Sequence, residues 1–397
     1  MSKKLGHVKF SELVTQSNRT VRPVAGKSYP LLGVRWYGKG PFVREVVTTQ
    51  SSKASRLFYV DENQFIYNRL FAWKGSFGVI GSEHVGSFVS GEFPLFDVKQ
   101  DLLDVKYLNL YMCRPEIWLQ IEIQSTGSTS VSRNRWKEER FKEFTIPLPP
   151  LAEQRRIVGV IQSVDNYIAA LQDRVDATSI ARNAILHELL NAGGDGWVET
   201  TLGEVVSLSR TRVDPSALPH DSDLVHWSIP MLDETGGPQI ECASQIGSHK
   251  FVVHENAIVF SLLNPRIPRF AQIIGGANVV CSTEFAVLVP KESVLLDFLL
   301  TIVSSSGFQE SILNLAKGTT KSRERINSQD LLKSSVMLPP LVEQQRIVEI
   351  VSSMDDSIRA SEQTIVEAKN LRSGLLSDLL SGEHEIPESY DKLLGAA

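Results

Sequence analysis

Two short stretches of the chain combine hydroxyl side chains with closely spaced positive charges. GSTSVSRNRWK occupies residues 127–137, and KGTTKSRER occupies residues 317–325. Hydroxyls, turn backbone and basic side chains are the groups that contact the phosphates of a nucleic acid. A solvated basic turn before a strand is the alternative, because Glu138, Glu139 and Glu324 lie nearby. The residues that we predict to contact phosphate are Ser130, Arg133, Arg135, Lys137, Lys317, Thr319, Thr320, Lys321, Arg323 and Arg325.

Three further segments carry arginine, lysine or asparagine side chains that are candidates for base contacts. They are VRWYGKG (34–40), SRTR (209–212) and NPRIPRF (264–270). Such side chains suit a DNA groove, where a bidentate contact from arginine to guanine contributes about 1–3 kcal/mol of discrimination. The predicted base readers are Arg35, Tyr37, Lys39, Arg210, Arg212, Asn264, Arg266 and Arg269.

The motifs of catalysis are absent from the sequence. NPRI (264–267) lacks the aromatic fourth residue of the NPPY-type motif that holds an extruded adenine, and no glycine-rich cofactor loop precedes it. There is no GxxxxGK[ST] phosphate loop, and the eight histidines form no metal-spaced set. The three cysteines are scattered, which fits a reducing cytoplasm. We therefore expect no catalytic, cofactor-binding or metal-binding residue in this chain.

The elements that must position these segments are marked by an internal repeat. LPPLAEQRRIV (148–158) returns as LPPLVEQQRIV (338–348), at an offset of 190 residues. The paired prolines of each copy suit the first turn of a helix, and Glu153 and Glu343 suit the positive end of its dipole.

Apolar residues behind each motif recur at heptad spacing and predict two long helices, 151–192 and 341–382. We expect the two helices to pair as an antiparallel-type coiled coil, although each could instead pack alone on its own domain. Arg182 and Arg372 interrupt the seam, either as side chains that extend out of its edge or as residues that fix the register. The seam residues are Ile157, Ile161, Val164, Ile168, Leu171, Val175, Ile185 and Leu189, and then Ile347, Val351, Met354, Ile358, Ser361, Ile365, Leu375 and Leu379.

The segments before the two helices echo each other at their edges and differ between them. VKFSELV (8–14) matches TLGEVV (201–206), and SGEF (90–93) matches STEF (282–285). Apolar runs at 77–81, 257–263, 271–276 and 285–290 predict strands, whereas 102–112 and 294–305 predict helices. The predicted fold class is α+β, with two pseudo-repeated globular domains separated by the long helices. The predicted boundaries are 1–150, 151–192, 193–340, 341–382 and an acidic tail at 383–397.

The net charge of −5 conceals an uneven distribution. Residues 1–150 contain 21 Lys and Arg against 14 Asp and Glu, whereas residues 341–397 contain 5 against 11. This asymmetry permits a nucleic-acid surface in one part and a protein-binding surface in another. No apolar run approaches the length of a membrane span, and no apolar stretch follows Lys3 and Lys4, so we expect no secretory signal.

The doubled LPPL-x-EQ-x-RIV resembles the specificity subunit of type I restriction–modification enzymes. So do ENAIVFSLLNPRIPRFAQIIGG (255–276), VVCSTEF (279–285) and the GSTS and GTTK turns, and the resemblance extends over residues 8–382. The first domain departs from the family pattern, because SGEF replaces STEF.

The resemblance implies that each globular part is a target-recognition domain, which reads one half of a split, asymmetric site in double-stranded DNA. It also implies that the helix pair sets the spacing and docks two copies of a DNA adenine methyltransferase, the modification subunit. Those partners carry S-adenosylmethionine, and restriction subunits, where they exist, add ATP- and Mg-dependent translocation and cleavage.

Two alternatives stay open from the sequence alone. A coiled-coil adaptor that presents two protein-binding domains would account for the acidic second half without DNA. A subunit that itself modifies or cuts DNA would need motifs that the sequence lacks.

Overall fold

The computed structural model describes residues 6–51, 54–125, 135–316, 324–381 and 384–392. Its contacts divide the chain into two units, the first formed by Met1–Ala170 with Ile365–Ala397 and the second by Leu171–Thr364. Each long helix therefore contributes one part to each unit. Within the described ranges, no helix has both the length and the apolar character needed to cross a membrane.

The first unit combines short strands with helices. Its strands are β1 (His7–Lys9), β2 (Val14–Ser17), β3 (Thr20–Val21), β4 (Tyr29–Val34), β5 (Pro41–Val47), β6 (Leu57–Tyr59), β7 (Phe65–Tyr67), β8 (Phe77–Val79), β9 (Phe88–Val89), β10 (Leu95–Val98) and β11 (Thr145–Pro147). Its helices are α1 (Phe10–Leu13), α2 (Val105–Met112), α3 (Pro115–Gln124), α4 (Glu138–Glu143) and the first part of α5 (Leu151–Asn191).

The second unit repeats this plan. Its strands are β12 (Val198–Thr201), β13 (Val206–Ser209), β14 (Arg212–Val213), β15 (Asp223–Trp227), β16 (Gln239–Cys242), β17 (Lys250–Val252), β18 (Ala257–Ser261), β19 (Phe270–Ile273), β20 (Val279–Ser282), β21 (Phe285–Pro290) and β22 (Ser335–Leu338). Its helices are α6 (Leu202–Val205), α7 (Ile229–Thr235), α8 (Leu296–Ser304), α9 (Ser306–Leu313), α10 (Ser328–Leu332) and the first part of α11 (Leu341–Ser381).

The sheets of the two units correspond one to one. The first unit has a four-stranded sheet β2-β10-β7-β8, a five-stranded sheet β3-β6-β9-β4-β5 and the pair β1-β11. The second has β13-β21-β18-β19, β14-β17-β20-β15-β16 and the pair β12-β22. Each five-stranded sheet contains one parallel contact, β4 with β9 and β15 with β20. The predicted α+β fold is confirmed.

Both long helices have 41 residues and begin at the leucine that follows the two prolines. The prolines thus precede the first turn rather than occupy it, which corrects the prediction. Their carbonyls still serve the helix, because the Pro150 oxygen accepts from the Gln154 amide at 3.0 Å and the Pro340 oxygen accepts from the Gln344 amide at 3.0 Å. A proline at this position offers an acceptor to the first turn while its missing N–H costs nothing.

The glutamine of each LPPL-x-EQ motif fastens its helix to the globular part of the same unit. Gln154 is fully buried; its Oε1 accepts from the Asp104 amide at 2.8 Å, and its Nε2 donates to the carbonyls of Leu102 and Pro149, both at 2.9 Å. Gln344 repeats the three bonds in the second unit. Its partners are the Leu295 amide and the Ser293 and Pro339 carbonyls, each at 2.9 Å.

The long helices contact each other within each unit, and they run antiparallel. In the second unit, Arg182 makes two hydrogen bonds to Asp355, at 2.7 and 3.0 Å, and Arg174 donates to the Ser361 hydroxyl at 2.6 Å. In the first unit, Arg372 likewise donates two hydrogen bonds to the Asp165 carboxylate, from Nε and Nη2. The two arginines that interrupt the seam therefore cross to the other helix instead of extending into solvent.

The apolar seam departs from its predicted course near the end of α5. Ile185 is 39% exposed, whereas Leu186 is 1% exposed and packs in the core of the second unit with Ile347 and Val351. A straight helix drifts by about 20° per heptad, so the face that meets the globular core shifts by one residue from the heptad seam. At the end of α11, Leu376 and Leu380 are likewise buried in the core of the first unit.

The acidic segment after α11 is docked on the first unit. The Ile386 side chain is 7% exposed, and its amide donates to Glu153 at 2.7 Å. Asp391 accepts two hydrogen bonds from Arg156, at 2.7 and 2.9 Å. These bonds raise the pKa of the Arg156 guanidinium and hold the pKa of Asp391 below its usual value.

Candidate nucleic-acid interface

In the first unit, residues 35–40 form a turn that is tied to its neighbours through the backbone. The Arg35 amide donates to the Gly40 carbonyl at 2.9 Å, and the Tyr37 amide donates to the Lys74 carbonyl at 2.8 Å. Tyr37 has a φ of 59°, in the left-handed region that a bulky residue seldom adopts. The turn is therefore held in a fixed, strained conformation, as is common at binding sites.

The same turn presents aromatic surface and positive charge. Tyr37 is 60% exposed and Trp36 is 39% exposed. The Lys74 ammonium lies 4.0 Å from the centre of the Trp36 ring, and the Arg35 guanidinium lies 4.4 Å from the centre of the Phe42 ring. Stacked cations beside exposed rings can contact both phosphates and bases. Lys39 also lies exposed on this turn.

A second cluster of the first unit surrounds residues 135–138. Arg135 donates to Glu92 from Nε at 3.2 Å and from Nη2 at 2.9 Å. Arg69 binds Glu138 and the Gly91 carbonyl, and Gln16 donates to Glu138 at 3.3 Å. Lys137 is exposed immediately before α4.

In the second unit, residues 324–328 bring together candidates that are far apart in sequence. Arg266 donates to Glu324 from Nε at 2.8 Å and from Nη2 at 3.2 Å, and the Asn264 amide donates to the Glu324 carbonyl at 2.8 Å. Arg325 pairs with Glu284 at 3.0 Å, and Arg210 donates to the Ser328 hydroxyl at 2.7 Å. Hydrogen bonding to Glu324 raises the pKa of Arg266. The predicted loop 264–270 and the end of the second basic stretch thus form one site.

Two predicted base readers of the second unit lie in other surroundings. The Arg269 side chain is only 11% exposed and donates to Asp233 at 2.6 and 2.8 Å, and this hydrogen bonding lowers the pKa of Asp233. Arg212 lies on β14 with its guanidinium 5.9 Å from the centre of the Phe251 ring. Because so little of its side chain is exposed, Arg269 offers little surface to a base, whereas Arg212 is exposed.

Several predicted phosphate contacts lie outside the described residues. They are Ser130, Arg133, Lys317, Thr319, Thr320, Lys321 and Arg323.

Sequence reasoning missed the carboxylates that hold the arginines. Glu92, Glu284 and Glu324 each bind an arginine that lies 41 to 58 residues away in sequence, so no local pattern reveals the pairing. The available signal was the echo of SGEF and STEF, because Glu92 and Glu284 occupy the same place in that motif. Asn264 was predicted, and its φ of 48° lies in the left-handed region, which asparagine adopts more readily than the tyrosine at position 37 does.

In the part of the chain that the structure describes, no three His, Cys, Asp or Glu side chains are grouped as a metal site. The candidate surface combines arginines, lysines, hydroxyls, amides and aromatic rings with the glutamates that hold the arginines. Cationic, hydroxyl and amide side chains contact phosphates and base edges.

Comparison with known proteins identifies the same organisation elsewhere. The model of the type I restriction modification DNA specificity domain matches residues 23–177 and again residues 194–370. The type I restriction enzyme MjaVIII specificity subunit of Methanocaldococcus jannaschii is 22% identical over 365 residues, which is 83% of each chain.

Two solved structures share the fold over nearly the whole length. A chain of a type I R-M system matches with a TM-score of 0.62 and 19% identity, covering 96% of this chain and 100% of that one. The HsdS subunit from Thermoanaerobacter tengcongensis matches with a TM-score of 0.50 and 18% identity, covering 96% and 97%. With two copies of the domain model along most of its length, this chain belongs to the family of type I restriction–modification DNA specificity proteins.

Proposed function

We propose that this chain is the DNA sequence-recognition subunit of a type I restriction–modification complex. Each unit would read one half of a bipartite, asymmetric site in double-stranded DNA. The observation that carries the proposal is the repetition of one cationic frame in both units, with different loops attached to it. The frame contains Arg135 with Glu92 in the first unit and Arg325 with Glu284 in the second. A repeated frame suits phosphate contacts, and different loops suit different bases.

The loops that differ supply the proposed base contacts. In the first unit these are the aromatic and basic residues of the turn at 35–40, and in the second they are Asn264 and Arg266. Arg266 is held by Glu324 through Nε and Nη2, which leaves the Nη1 side of the guanidinium outside the pair. That side can face a guanine, for which a bidentate contact discriminates by about 1–3 kcal/mol.

The proposal also includes partners that carry the chemistry. The chain itself would be non-catalytic and would scaffold two copies of a DNA adenine methyltransferase, which bring S-adenosylmethionine. Where restriction subunits exist, they would join the same complex in the cytoplasm and bring ATP and Mg. The copy number of two is supported by the repeated helix starts, since Gln154 and Gln344 hold equivalent junctions in the two units.

The proposal is tested by selecting bound sequences from random duplex DNA with this chain reconstituted with its modification subunit. Two short fixed blocks separated by an unspecified gap are the expected result. A variant in which Arg35, Tyr37 and Lys39 are all alanine should select DNA in which one fixed block is absent. Arg266→Ala should weaken the sequence preference in the other block.

The same experiment distinguishes the proposed function from two alternatives, an adaptor and an enzyme. A stable complex that enriches no sequence would favour an adaptor with two protein-binding domains. Methyl transfer to DNA by the isolated chain would instead make it an enzyme, against the proposal.

A further inference from the structure

The glutamate of the S-x-E-F motif has the same arginine partner in both units. In the first unit, Glu92 accepts from Arg135 Nη2 at 2.9 Å and from Nε at 3.2 Å. In the second, Glu284 accepts from Arg325 Nη2 at 3.0 Å. Both arginines occupy the same place, at the end of the hydroxyl-rich basic stretch of their unit. The pair therefore recurs although most of the surrounding sequence differs.

Backbone hydrogen bonds fix the position of each glutamate relative to its arginine. The Glu92 carbonyl accepts from the Arg69 amide at 3.0 Å, and the Arg69 carbonyl accepts from the Trp136 amide at 3.0 Å. In the second unit, the Glu284 carbonyl accepts from the Leu262 amide, and the Leu262 carbonyl accepts from the Ile326 amide, both at 2.9 Å. Three chain segments thus meet in the same order in each unit. We refer to this arrangement as the glutamate clasp.

The residues that follow the two arginines of the clasp are buried, whereas the ion pairs of the clasp are exposed. Trp136 is fully buried and Ile326 is 3% exposed, so the residue after each arginine is fixed in the core. The ion pairs themselves lie at the surface, since the Arg135 and Arg325 side chains are 47% and 59% exposed. An exposed pair contributes about 0–1 kcal/mol to stability. Stability alone therefore gives little reason for the pair to occur twice.

The orientation of the arginine gives a better reason for the pair to occur in both units. Arg135 meets Glu92 through Nε and Nη2, so the pair fixes the plane of the guanidinium and leaves its Nη1 side directed elsewhere. A planar group held along one edge can offer the other edge to a phosphate or a base without first losing its rotational freedom.

We infer that Glu92 and Glu284 are positioning residues, each of which orients an arginine, Arg135 or Arg325, for contact with DNA. The inference rests on the proposed function, because it concerns how the two units bind their DNA. It assigns a role in DNA binding to two acidic side chains.

The sign of a mutational effect distinguishes positioning from plain electrostatics. Removing a negative charge from a DNA-binding surface strengthens binding when only the charge matters. If the glutamate orients the arginine, its removal weakens binding in spite of the gain in net positive charge. Glu92→Gln and Glu284→Gln keep the size of the side chain and remove the charge.

The experiment uses the chain reconstituted with its modification subunit and the DNA that this complex selects. We expect each glutamine variant to bind that DNA about three- to tenfold more weakly, with an unchanged melting temperature. Because a phosphate contact carries no base information, the loss should leave the selected sequence of both blocks unchanged. The matched control is Asp61→Asn, which removes the exposed partner of Arg19 in the first unit and should leave binding equal or slightly tighter.

A charge-swapped variant, E92R/R135E, tests whether the pair serves to orient Arg135 or only to stabilise the fold. It restores an ion pair but removes the cation from position 135, so we expect binding to stay weak. Recovery of binding in the swap, or glutamine variants that bind as tightly as the wild type or tighter, would overturn the inference. If the wild-type complex itself selects no sequence, the proposed function fails and this inference fails with it, whereas an affinity for the selected DNA that is insensitive to both glutamates removes this inference alone.

Discussion

At the scale of single residues, the buried glutamines explain why the LPPL-x-EQ motif is written twice. Gln154 and Gln344 each satisfy one backbone amide and two backbone carbonyls at the junction between a globular part and a long helix. A shorter side chain would leave those groups buried without partners, and a carboxylate could not donate to the two carbonyls.

Gln344→Ala should therefore lower the free energy of unfolding of the second unit by about 1–3 kcal/mol. The adjacent Gln345 is exposed and bonds only along its own helix, to Glu349 at 3.1 Å. Gln345→Ala is thus the matched control, and it should change stability by no more than about 0.5 kcal/mol. Urea denaturation of both variants measures the difference, and equal midpoints would contradict the role given to Gln344.

Protonation of one residue should control the docked segment after α11. Hydrogen bonds from Arg156 hold the folded pKa of Asp391 below its unfolded value, so the pair contributes stability above the unfolded pKa. That contribution is lost as the pH falls through the folded pKa. A spin label at Ser389 should be immobile at neutral pH and mobile in acid, whereas in Asp391→Asn it should be mobile at both. Immobility of the label in Asp391→Asn at neutral pH would show that Ile386 and Glu153 suffice.

At the scale of elements, we expect the ion pairs between α5 and α11 to set how the two helices are aligned within each unit. The pair Arg182–Asp355 and the pair Arg372–Asp165 are equivalent in the repeat, because the positions of their arginines and of their aspartates differ by the offset of 190 residues. The heptad pattern allowed the helices to slide by seven residues with little change in apolar contact. The ion pairs are satisfied in one alignment only.

Reversing one charge of such a pair should destabilise the second unit, and reversing both should restore it. In Arg182→Asp, two carboxylates face each other at a half-buried site, which we expect to cost about 1–3 kcal/mol. The double variant R182D/D355R regains most of that loss. A double-mutant cycle by chemical denaturation gives the coupling energy, and a coupling near zero would show that apolar packing alone sets the register.

At the scale of the whole molecule, the acidic second half no longer opposes DNA binding. Glu284 and Glu324 are among its carboxylates, and each binds an arginine of the candidate surface. Net charge counts these carboxylates against the domain, although they hold cations in place. The local arrangement of charge is therefore more informative here than the total of −5.

The affinity of the assembled complex for its DNA should fall steeply with salt. Each phosphate contact contributes about −0.9 to the slope of log K against log salt concentration. Arg135→Ala and Arg325→Ala should each make the slope shallower by about 1. Titrations at several salt concentrations test this. A slope that neither variant changes would remove both arginines from the phosphate contacts.

The sequence predicted those features that depend on local pattern and repetition. Both long helices, the strands at 257–261 and 285–290 and the doubled start of the long helices follow from periodicity within one segment or from a match between two. The clasp and the docking of Ile386 on Glu153 did not follow, because they join segments that only the folded chain brings together. The burial of Leu186 instead of the predicted Ile185 also depends on tertiary packing, since heptad counting treats the helix as if it met only another helix.

The separation of a fixed frame from loops that differ between the two units has a practical consequence. The turn at 35–40 and the loop at 264–270 can be randomised in a library while the glutamines, the clasp and the crossed ion pairs are left intact. Positions 37 and 264 set a limit on such a library, because their positive φ values favour Gly, Asn or Asp and penalise β-branched residues. Selection from such a library would be a route to chains with new sequence preferences on an unchanged scaffold.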